Sequence, residues 1–435
     1  MANKNLLKTI LNVNCVKIIN WKIDESKSTI YIHVDMTKGQ KGRCPVCGKK
    51  CKGYDTITQL RQWRSLDLGK FKVFLMCNFR RVECKEHGIH TEQVPWAYHK
   101  SRFTKDFENE LAYLTLYMSK SDVKKIMRVS WSTVGDVFTR ARKRLEPDSR
   151  VRFDNLTQIG IDETSYKKGH KYLTVIIDHV KNQIIWVKEG TGKEVLQSFF
   201  DELSDAQKAT IQHVSGDGAS WIIDTVKENL PGVAYCLDPF HTVQWAIEAM
   251  DKLRKQEWHK AIAKEKESKD KKEKKASKTE KEKVGKAAKY ALGKNPDNLT
   301  DYQKSCLDSI KEIYPRMFKG YQLKEGLRTV FRADDDKVES ELNRWLSWAC
   351  RSKLEPFVEL SRKIRRHKSL ILDTIKYKIS NSRVESMNNR IKVLIRKSYG
   401  FRNIENLKDL IMVSCSNLRN QIKMPYDIKL SMNDM

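Results

Sequence analysis

Residues 156–178 read LTQIGIDETSYKKGHKYLTVIID and begin the part of the chain that decides the fold. Two apolar runs in this stretch, 156–162 and 171–178, have the length and the β-branched content of strands. The segments that follow read QIIWVKEG (183–190), KEVLQSFFDELS (193–204), TIQHVSGDG (210–218), IIDTVKENL (222–230) and GVAYCLDPFH (232–241). Their apolar patterns alternate between strand and helix. The predicted order is three strands, a helix, a strand, a helix and a strand.

This order of elements is that of an RNase H-like mixed sheet, in which the first strand is central and the fourth lies beside it in parallel. Asp162 and Asp217 end these two predicted strands. Carboxylates at the carboxyl ends of neighbouring parallel strands project into one crevice. Their oxygens suit hard cations, and a pair of Mg²⁺ ions can support in-line phosphodiester cleavage. The sequence therefore predicts a metal-dependent nuclease-type site at this edge of the sheet.

Three other acids near these strands, Asp238, Asp178 and Glu163, are candidates for the same role. Asp238 also ends a predicted strand, but that strand lies one position farther from Asp162, so Asp217 is preferred. Asp178 ends the antiparallel second strand and is expected at the opposite end of the sheet. Glu163 is expected to point to the other face of the sheet from Asp162.

A third carboxylate is expected in residues 379–403, ISNSRVESMNNRIKVLIRKSYGFRN. If residues 383–397 are helical, one buried stripe consists of Val384, Met387, Ile391 and Leu394. A different face of the helix carries Glu385, Asn389, Lys392 and Arg396. Any solvated amphipathic helix shows such a face. The assignment of Glu385 therefore depends on its combination with the two strand-end aspartates.

The N-terminal region contains two pairs of metal-ligand residues. The pairs, in CPVCG and CKEHG, are Cys44 with Cys47 and Cys84 with His87. The strand-like run of residues 70–84 precedes the second pair, and two pairs that close a hairpin can supply the four ligands of a structural zinc ribbon. His90 and Cys51 are competing ligands, and Cys77 alternates with apolar residues as a buried strand position does. A reduced protein with several packed cysteines is the alternative.

Residues 104–146 show apolar positions at helical spacing, in TKDFENELAYLTLYM (104–118) and SDVKKIMRVSWSTVGDVFTRARKRL (121–145). A turn around Val129 and Ser130 divides the second segment into two helices. This is the layout of a helix-turn-helix, whose second helix would lie in the major groove. The side chains predicted to contact DNA are Ser132, Thr133, Arg140, Arg142, Lys143 and Arg144. An ordinary pair of packed helices with a basic face would look nearly the same.

The composition points to a polyanionic partner. The 435 residues include 84 Lys and Arg against 55 Asp and Glu, a formal net charge of +29. Such an excess favours nucleic acid. The chain has no apolar run of the ~18 residues that a membrane span needs, and its first residues are too polar for a secretory signal. We therefore expect a soluble, intracellular protein with no membrane partner.

The region between the predicted core and the third acid divides into two parts. Residues 251–285 alternate Lys with Glu and have few large apolar side chains, which predicts a solvated helix or a disordered loop. A contact of this stretch with the DNA backbone is the less favoured interpretation. Helical periodicity returns in residues 299–375, which we expect to form a helical insertion that closes over the active site and holds DNA. Its expected core aromatics are Trp345, Trp348 and Phe357.

Several segments are specific in combination: IGIDETSYKKGHKYLTVIID, VSGDGASW, DPFHTVQWA, YQLKEGLRTVF and SNSRVESMNNRIKVLIRKSYGFRN. From the CPVCG knuckle to YGFRN, nearly the whole chain resembles the ISL-three family of bacterial insertion-sequence transposases. The resemblance implies a DDE transposase whose triad falls on Asp162, Asp217 and Glu385. Asp238 and His241 match a Cys- or Asp-x-x-His element of related transposases, and His241 could orient DNA. Small residues usually flank the family's glutamate, where this chain has SRVES, and the lysine-rich stretch is longer than usual.

The combined prediction is a multidomain α/β protein with an RNase H-like mixed-sheet catalytic core that a helical insertion interrupts. The expected parts are a zinc-ribbon region at 1–98, a helix-turn-helix domain at 99–150, the first core part at 151–250, the lysine-rich and helical insertion at 251–378 and the second core part with the tail at 379–435. We expect Mg²⁺ or Mn²⁺ at the triad and structural Zn²⁺ in the ribbon.

The predicted function is to bind the terminal inverted repeats of the element and to cleave and transfer DNA strands into target DNA. Work at two element ends favours a homodimer, and a bacterial cytoplasm with nucleoid association is the expected location. One alternative is a zinc-containing transcription regulator with an inactive core. Another is a structure-selective nuclease of the same fold, which would cut without joining.

Overall fold

The computed structural model describes residues 2–13, 15–267, 288–334, 336–379 and 381–425. The chain divides into two compact units, of which the first comprises Met1–Ser149 with Val393–Met435 and the second comprises Arg150–Lys392. Among the described residues, no helix combines the length and the apolar character that crossing a membrane requires. In this division the residues from Val393 onward group with the N-terminal unit.

The first unit contains a five-stranded sheet. Its strands are β1 (Val16–Asp24), β2 (Thr29–Met36), β3 (Lys52–Leu68), β4 (Phe71–Cys84) and β5 (Gly88–Thr91). The order is β1-β2-β4-β3, with β5 paired to β4. Alternate side chains of β4 are buried, among them Val73, Leu75 and Cys77, in a cluster with Trp63. Cys77 thus occupies the buried strand position that its apolar neighbours predicted.

The α-helices that the described residues of the first unit form wholly within it are α1 (Ala2–Ile10), α2 (Lys105–Tyr117), α3 (Lys120–Met127), α4 (Trp131–Leu145) and α15 (Ile404–Ser414). Between α3 and α4, Arg128 adopts the left-handed conformation with φ 51° and ends α3. Ser130 then caps α4 by accepting from the Thr133 N–H, so α4 begins at Trp131, directly after the predicted turn. Phe138 of α4 belongs to one apolar cluster with Leu410 of α15. This packing explains why the C-terminal residues group with the N-terminal unit.

The second unit contains a mixed sheet of five strands. They are β6 (Gln158–Lys167), β7 (Lys171–Asp178), β8 (Gln183–Glu189), β9 (His213–Gly216) and β10 (Ala234–Leu237). The order is β10-β9-β6-β7-β8. The first strand of this sheet, β6, is central, pairs antiparallel with β7 and lies parallel to β9, as predicted. β6 continues along β7 to Lys167, so Asp162 is a strand end only with respect to β9.

Helices surround this sheet and form the following insertion. They are α5 (Lys193–Glu202), α6 (Asp205–Thr210), α7 (Ser220–Asn229), α8 (Pro239–Glu267), α9 (Asp301–Ile313), α10 (Pro315–Val330), α11 (Val338–Cys350), α12 (Glu355–Arg366), α13 (Lys368–Tyr377) and α14 (Ser382–Lys397), the last of which continues into the first unit. The first part of the lysine-rich stretch, 251–267, belongs to α8, and residues 268–287 lie outside the described residues. α6 was not predicted.

The insertion is helical, as expected, and two of its three predicted core aromatics are buried. Trp345 and Phe357 are 3% and 0% exposed. The prediction for Trp348 was wrong, because its side chain is 39% exposed. Trp348 lies at the edge of the buried face of α11, where its ring covers Gly326 of α10 on one side and meets solvent on the other.

Candidate active site and candidate metal centre

Acids from three neighbouring strands lie at one level of the mixed sheet. Gly160 of β6 pairs with Ser215 of β9, so Asp162 and Asp217 each lie two residues beyond a paired position. Gly216 pairs with Leu237 of β10, which places Asp238 beside Asp217. Adjacent strands lie about 4.8 Å apart. Asp217 is therefore the nearer strand-end acid to Asp162, and Asp238 is one strand farther away, as the strand order predicted.

These side chains influence one another electrostatically. Burial raises the pKa of Asp162 and is the main cause of the shift. The negative charges of Asp217 and Asp238 raise this pKa further. The His241 ring lowers it, and so does the Glu163 N–H, which donates to Asp162 Oδ1 at 2.8 Å. The three aspartates and His241 thus share one partly buried space.

Helix α14 packs closely against β6 next to Asp162. A Cβ at Gly160 would lie 2.5 Å from a methyl group of Val384, so this approach requires glycine. Two residues further along β6, Asp162 Oδ2 accepts a 2.7 Å hydrogen bond from Nδ2 of Asn388. Asn388 is itself 5% exposed. The amide therefore holds one carboxylate oxygen of Asp162 in a fixed position.

Glu385 lies on the same helix, three residues before Asn388. Side chains three residues apart on a helix are neighbours, with about 5–6 Å between their Cβ atoms. Glu385 is exposed, one turn from the amide that contacts Asp162. The predicted buried stripe is confirmed, with Val384, Met387 and Ile391 buried and Leu394 partly buried. The other members of the predicted polar face, Asn389, Lys392 and Arg396, are also exposed.

The remaining acids near the sheet occupy other places. Asp178 pairs with Ile159 at the start of β6, away from Asp162, and accepts from the N–H groups of Val180 and Lys181. This confirms that it lies at the opposite end of the sheet. Burial raises the pKa of Glu163 to about 6, and the charge of Asp217 adds to the shift. Glu163 therefore lies close enough to Asp217 for their negative charges to repel each other.

Two side chains that hold the acids in place were missed from the sequence. One is Asn388, described above. The other is Tyr235 of β10, 2% exposed, whose hydroxyl donates to the backbone oxygen of Asp217 at 2.8 Å. Tyrosine within the otherwise apolar strand AYCL is a usable signal, because a buried phenol needs a hydrogen-bond partner. Asn388 has a similar signal, as an amide beside a buried helix stripe.

A basic face of the insertion lies near Asp217. Lys363 of α12 places its Nζ 3.7 Å from the centroid of the Trp245 ring. Burial lowers the pKa of Lys363, and the negative charges of Glu248 and Asp217 oppose this shift. Two clefts of about 380 and 460 Å³ share Lys363 and Arg366 in their walls. Cations of the insertion therefore line the approach to the strand-end acids.

The first unit brings together the four predicted metal-ligand residues. They are Cys44, Cys47, Cys84 and His87, whose ligand atoms all lie within 4.8 Å of one another. The local sequence explains the arrangement. The first pair precedes β3, and the second begins at Cys84, the last residue of β4. The antiparallel pairing of Lys52 with Glu83 brings the two pairs side by side.

The distances in this Cys/His cluster fit a tetrahedral metal site. Metal–sulfur bonds of about 2.3 Å and a metal–nitrogen bond of about 2.0 Å would separate two sulfurs by about 3.8 Å and a sulfur from a nitrogen by about 3.5 Å. The Cys47 and Cys84 sulfurs lie 3.8 Å apart. The His87 Nδ1 lies 3.5 Å from the Cys84 sulfur and 3.9 Å from that of Cys44.

Two competing ligands lie beside this Cys/His cluster. The His90 ring is hydrogen-bonded through Nε2 to the backbone oxygen of His87 at 2.6 Å, which occupies that nitrogen. Cys51 is close enough for the Cys84 sulfur to raise its pKa, although burial is the larger cause. The Cys51 thiol donates to the Lys49 backbone oxygen at 3.4 Å. Cys51 is therefore a neighbour of the cluster.

The residues predicted to contact DNA occupy both ends of α4. Ser132 is exposed and Thr133 half-buried in the first turn, next to the capping Ser130. Lys143 is exposed near the other end. The first turn of the second helix is the part that contacts base edges in helix-turn-helix proteins.

The three arginines of α4 have acidic partners within the first unit. Glu108 of α2 is fully buried and accepts from Arg140 at 2.6 Å and from Arg144 at 2.8 Å. Arg142 lies 3.7 Å from Asp409 of α15. These guanidinium groups therefore also help to hold the helices of the unit together.

Comparisons with known proteins agree with this geometry. A transposase family model matches residues 159–411, a model of the helix-turn-helix domain of transposase family ISL3 matches residues 92–142, and a model of the zinc-finger of transposase IS204/IS1001/IS1096/IS1165 matches residues 40–87. The three matches cover the mixed sheet with its insertion, the α3–α4 region and the Cys/His cluster. They define the class of protein as a transposase.

Two similar proteins narrow the class. The transposase for insertion sequence element IS1557 of Mycobacterium tuberculosis is 38% identical over 432 residues, which cover 96% of this chain and 97% of the relative. The transposase for insertion sequence element IS1001 of Bordetella parapertussis is 24% identical over 396 residues, which cover 90% and 92%. This chain belongs to transposase family ISL3. The resemblance found in the sequence is confirmed.

Proposed function

We propose that this transposase cleaves DNA at the ends of its insertion sequence and transfers the freed strand into target DNA, with Asp162, Asp217 and Glu385 as the catalytic acids. One observation supports this most: Asp162 and Asp217 lie at one level on neighbouring parallel strands of a sheet with the strand order expected of an RNase H-like core. Such juxtaposed carboxylates are the arrangement that metal-dependent phosphodiester chemistry needs.

The donor set fits hard divalent cations, because Asp162, Asp217 and Glu385 offer only oxygen ligands. A pair of Mg²⁺ or Mn²⁺ ions held by these acids would activate the attacking oxygen and stabilise the leaving one. The chain itself fixes both aspartates. Asn388 and the Glu163 N–H hold the two oxygens of Asp162, and the Ala219 N–H donates to Asp217 Oδ1 at 2.8 Å.

Asp238 and His241 take secondary roles in this proposal. Asp238 lies one strand beyond Asp217, and His241 is on the first turn of α8, close enough to lower the pKa of Asp162. We assign His241 to orienting the DNA strand near the acids. The exposed side chains Asn389, Lys392 and Arg396 of α14 are secondary candidates for contacts with the same strand.

For the N-terminal region, we propose a structural Zn²⁺ ion in the Cys/His cluster and binding of the terminal inverted repeats by the ribbon and the helix-turn-helix. Thiolate and imidazole ligands in tetrahedral array suit zinc. Because an insertion sequence has two ends, we propose that two copies of the chain act together on double-stranded DNA. The DNA of a bacterium lies in its cytoplasm, at the nucleoid, where this activity would take place.

Alanine in place of Asn388 is expected to lower activity and the apparent affinity for Mg²⁺ about 10- to 100-fold, the usual effect of losing a group that orients a metal ligand. The loss would come from a mobile Asp162 carboxylate, since the amide holds Oδ2. The test is the rate of strand cleavage as a function of Mg²⁺ concentration. Replacement of Asn343 by alanine, at an exposed position of α11, is the matched control. Equal effects of both substitutions would contradict this role of Asn388.

The helical insertion is proposed to hold the DNA strand beside the acids through Lys363 and Arg366. Alanine at Lys363 is expected to slow cleavage about 10-fold or more, because a charged hydrogen bond to a phosphate contributes about 1.5–3 kcal/mol. Single-turnover cleavage rates at saturating protein measure the effect. Arg344 of α11, whose side chain is 77% exposed, supplies the control alanine variant. An unchanged cleavage rate in the Lys363 variant would contradict the proposal that the insertion holds the DNA strand beside the acids.

The experiment that tests the proposed function uses purified protein, Mg²⁺ and a DNA fragment that carries the element's own end. Cleavage together with joining of the freed 3′ end to a second DNA is the expected result. Cleavage without joining would favour the structure-selective nuclease. Specific binding without either reaction would favour the transcription regulator with an inactive core.

A further inference from the structure

A strongly basic cleft lies within the first unit, between the ribbon and the C-terminal half of α4. Its volume is about 880 Å³. Seven Arg and Lys side chains and two His side chains line it, against the single carboxylate of Glu92. The cations of the cleft include Arg61, Lys100, Lys105, Arg140, Lys143 and Arg144.

The acids near this basic cleft do not cancel its charge. Glu92 is 4% exposed and accepts from the backbone N–H groups of Gly42 at 2.7 Å and Arg80 at 2.9 Å. Its carboxylate is therefore occupied by hydrogen bonds within the ribbon. Asp55 pairs with Arg81, while Glu108 pairs with both Arg140 and Arg144, so that one negative charge there faces two positive ones. The cleft therefore keeps a net positive charge.

The cationic side chains are held in place by aromatic rings. The guanidinium carbon of Arg144 lies 3.6 Å from the centroid of the Tyr98 ring, and that of Arg61 lies 5.2 Å from the Trp63 ring. Burial lowers the pKa of His99, and the charges of Lys100 and Arg61 contribute to the same shift. This accumulation of like charges in a fixed geometry is costly unless an anion binds there.

The position of the basic cleft along α4 identifies the anion. Thr133 is in the first turn of the helix, and Lys143 lies ten residues later, or about 15 Å along the axis. The major groove of B-DNA is about 12 Å wide. When the first turn of α4 meets base edges, its C-terminal half reaches the sugar–phosphate backbone that borders the groove.

We infer that the basic cleft between the ribbon and α4 binds the phosphate backbone of double-stranded DNA. The two ends of α4 then contact different parts of the DNA. The first turn, with Ser132 and Thr133, reads bases, and the end with Lys143 contributes affinity that does not depend on sequence. The inference rests on the proposed binding of the element's ends. It assigns the ribbon's part in this binding to the wall of the cleft that contains Arg61.

The test measures the affinity of the full-length protein for two labelled duplexes, one with the element's terminal repeat and one with a scrambled sequence, over a range of salt concentrations. The double variant Lys100→Ala/Lys143→Ala is compared with Lys22→Ala, an exposed lysine of β1 that does not line the cleft. Each lost phosphate contact reduces the slope of log affinity against log salt by about 0.9. The double variant should therefore lose about 1.8 from the slope. Its affinity for the two duplexes should fall by the same factor.

Other outcomes separate the inference from the proposed function. A Ser132→Ala/Thr133→Val variant should keep the wild-type slope and lose discrimination between the duplexes. An unchanged slope in the Lys100→Ala/Lys143→Ala variant, with the wild type binding both duplexes, would overturn the basic cleft alone. A wild type that binds neither duplex would overturn both the cleft and the proposed DNA binding. Because the substituted side chains are exposed or, for Thr133, half-buried, thermal unfolding should remain as in the wild type.

Discussion

Replacement of Asp162 or Asp217 by asparagine is expected to abolish DNA cleavage and strand transfer while DNA binding persists. Asparagine keeps the size of each side chain but removes the charge that would hold a divalent cation. Metal ions contribute several kcal/mol to such reactions, and each ~1.4 kcal/mol is a factor of ten in rate. We therefore expect losses of at least about 10³-fold.

The measurement is Mg²⁺-dependent cleavage and joining on a fragment with the element's end, alongside a gel-shift assay with the same DNA. Glu385→Gln should behave like the two aspartate variants. Asp201→Asn, at an exposed position of α5, is the control for a general effect of losing an acid. Activity that survives Asp217→Asn and disappears with Asp238→Asn would show that the second acid belongs to β10.

The second large effect is expected at the Cys/His cluster. Serine in place of Cys44 or Cys84 should remove bound zinc and unfold the ribbon, because structural zinc contributes about 10–16 kcal/mol of apparent folding free energy in small domains. Binding of the terminal repeat should fall with it. Zinc content by elemental analysis and thermal unfolding of the full-length protein measure the change.

The competing ligands provide the controls for the zinc prediction. Cys51→Ser and His90→Ala should retain zinc and the wild-type unfolding temperature, since neither residue belongs to the four-residue cluster. If the Cys51→Ser variant lost zinc and the Cys44→Ser variant retained it, Cys51 would take the place of Cys44 in the proposed ligand set. Retention of zinc in both Cys44→Ser and Cys84→Ser would contradict the site.

Several features of this protein followed from sequence pattern because they depend on local physics. The strand order of the mixed sheet follows from the succession of short apolar runs and amphipathic helices. The helix that carries Glu385 follows from the spacing of Val384, Met387 and Ile391. The Cys/His cluster follows from two pairs that a hairpin must bring together.

Other features depend on which helix or strand each element packs against, and residue spacing carries no information about that. Asn388 reaches Asp162 because Gly160 lets α14 approach β6 closely. Trp348 is exposed because the neighbouring Gly326 covers only one side of its ring. The basic pattern of α4 did not reveal that Arg140 and Arg144 share a buried partner, Glu108.

For the mixed sheet, the sequence alone determined the types and the order of the elements apart from α6, and for the two candidate sites it determined the chemical character, because periodicity and ligand type are properties of neighbouring residues. The tertiary structure decided the second set of contacts, which orient Asp162, support Asp217 through Tyr235 and gather cations from the ribbon and α4 into one cleft. Each of these contacts joins residues of different elements. Whether such residues come into contact depends on how the elements pack, which the pattern of neighbouring residues does not predict.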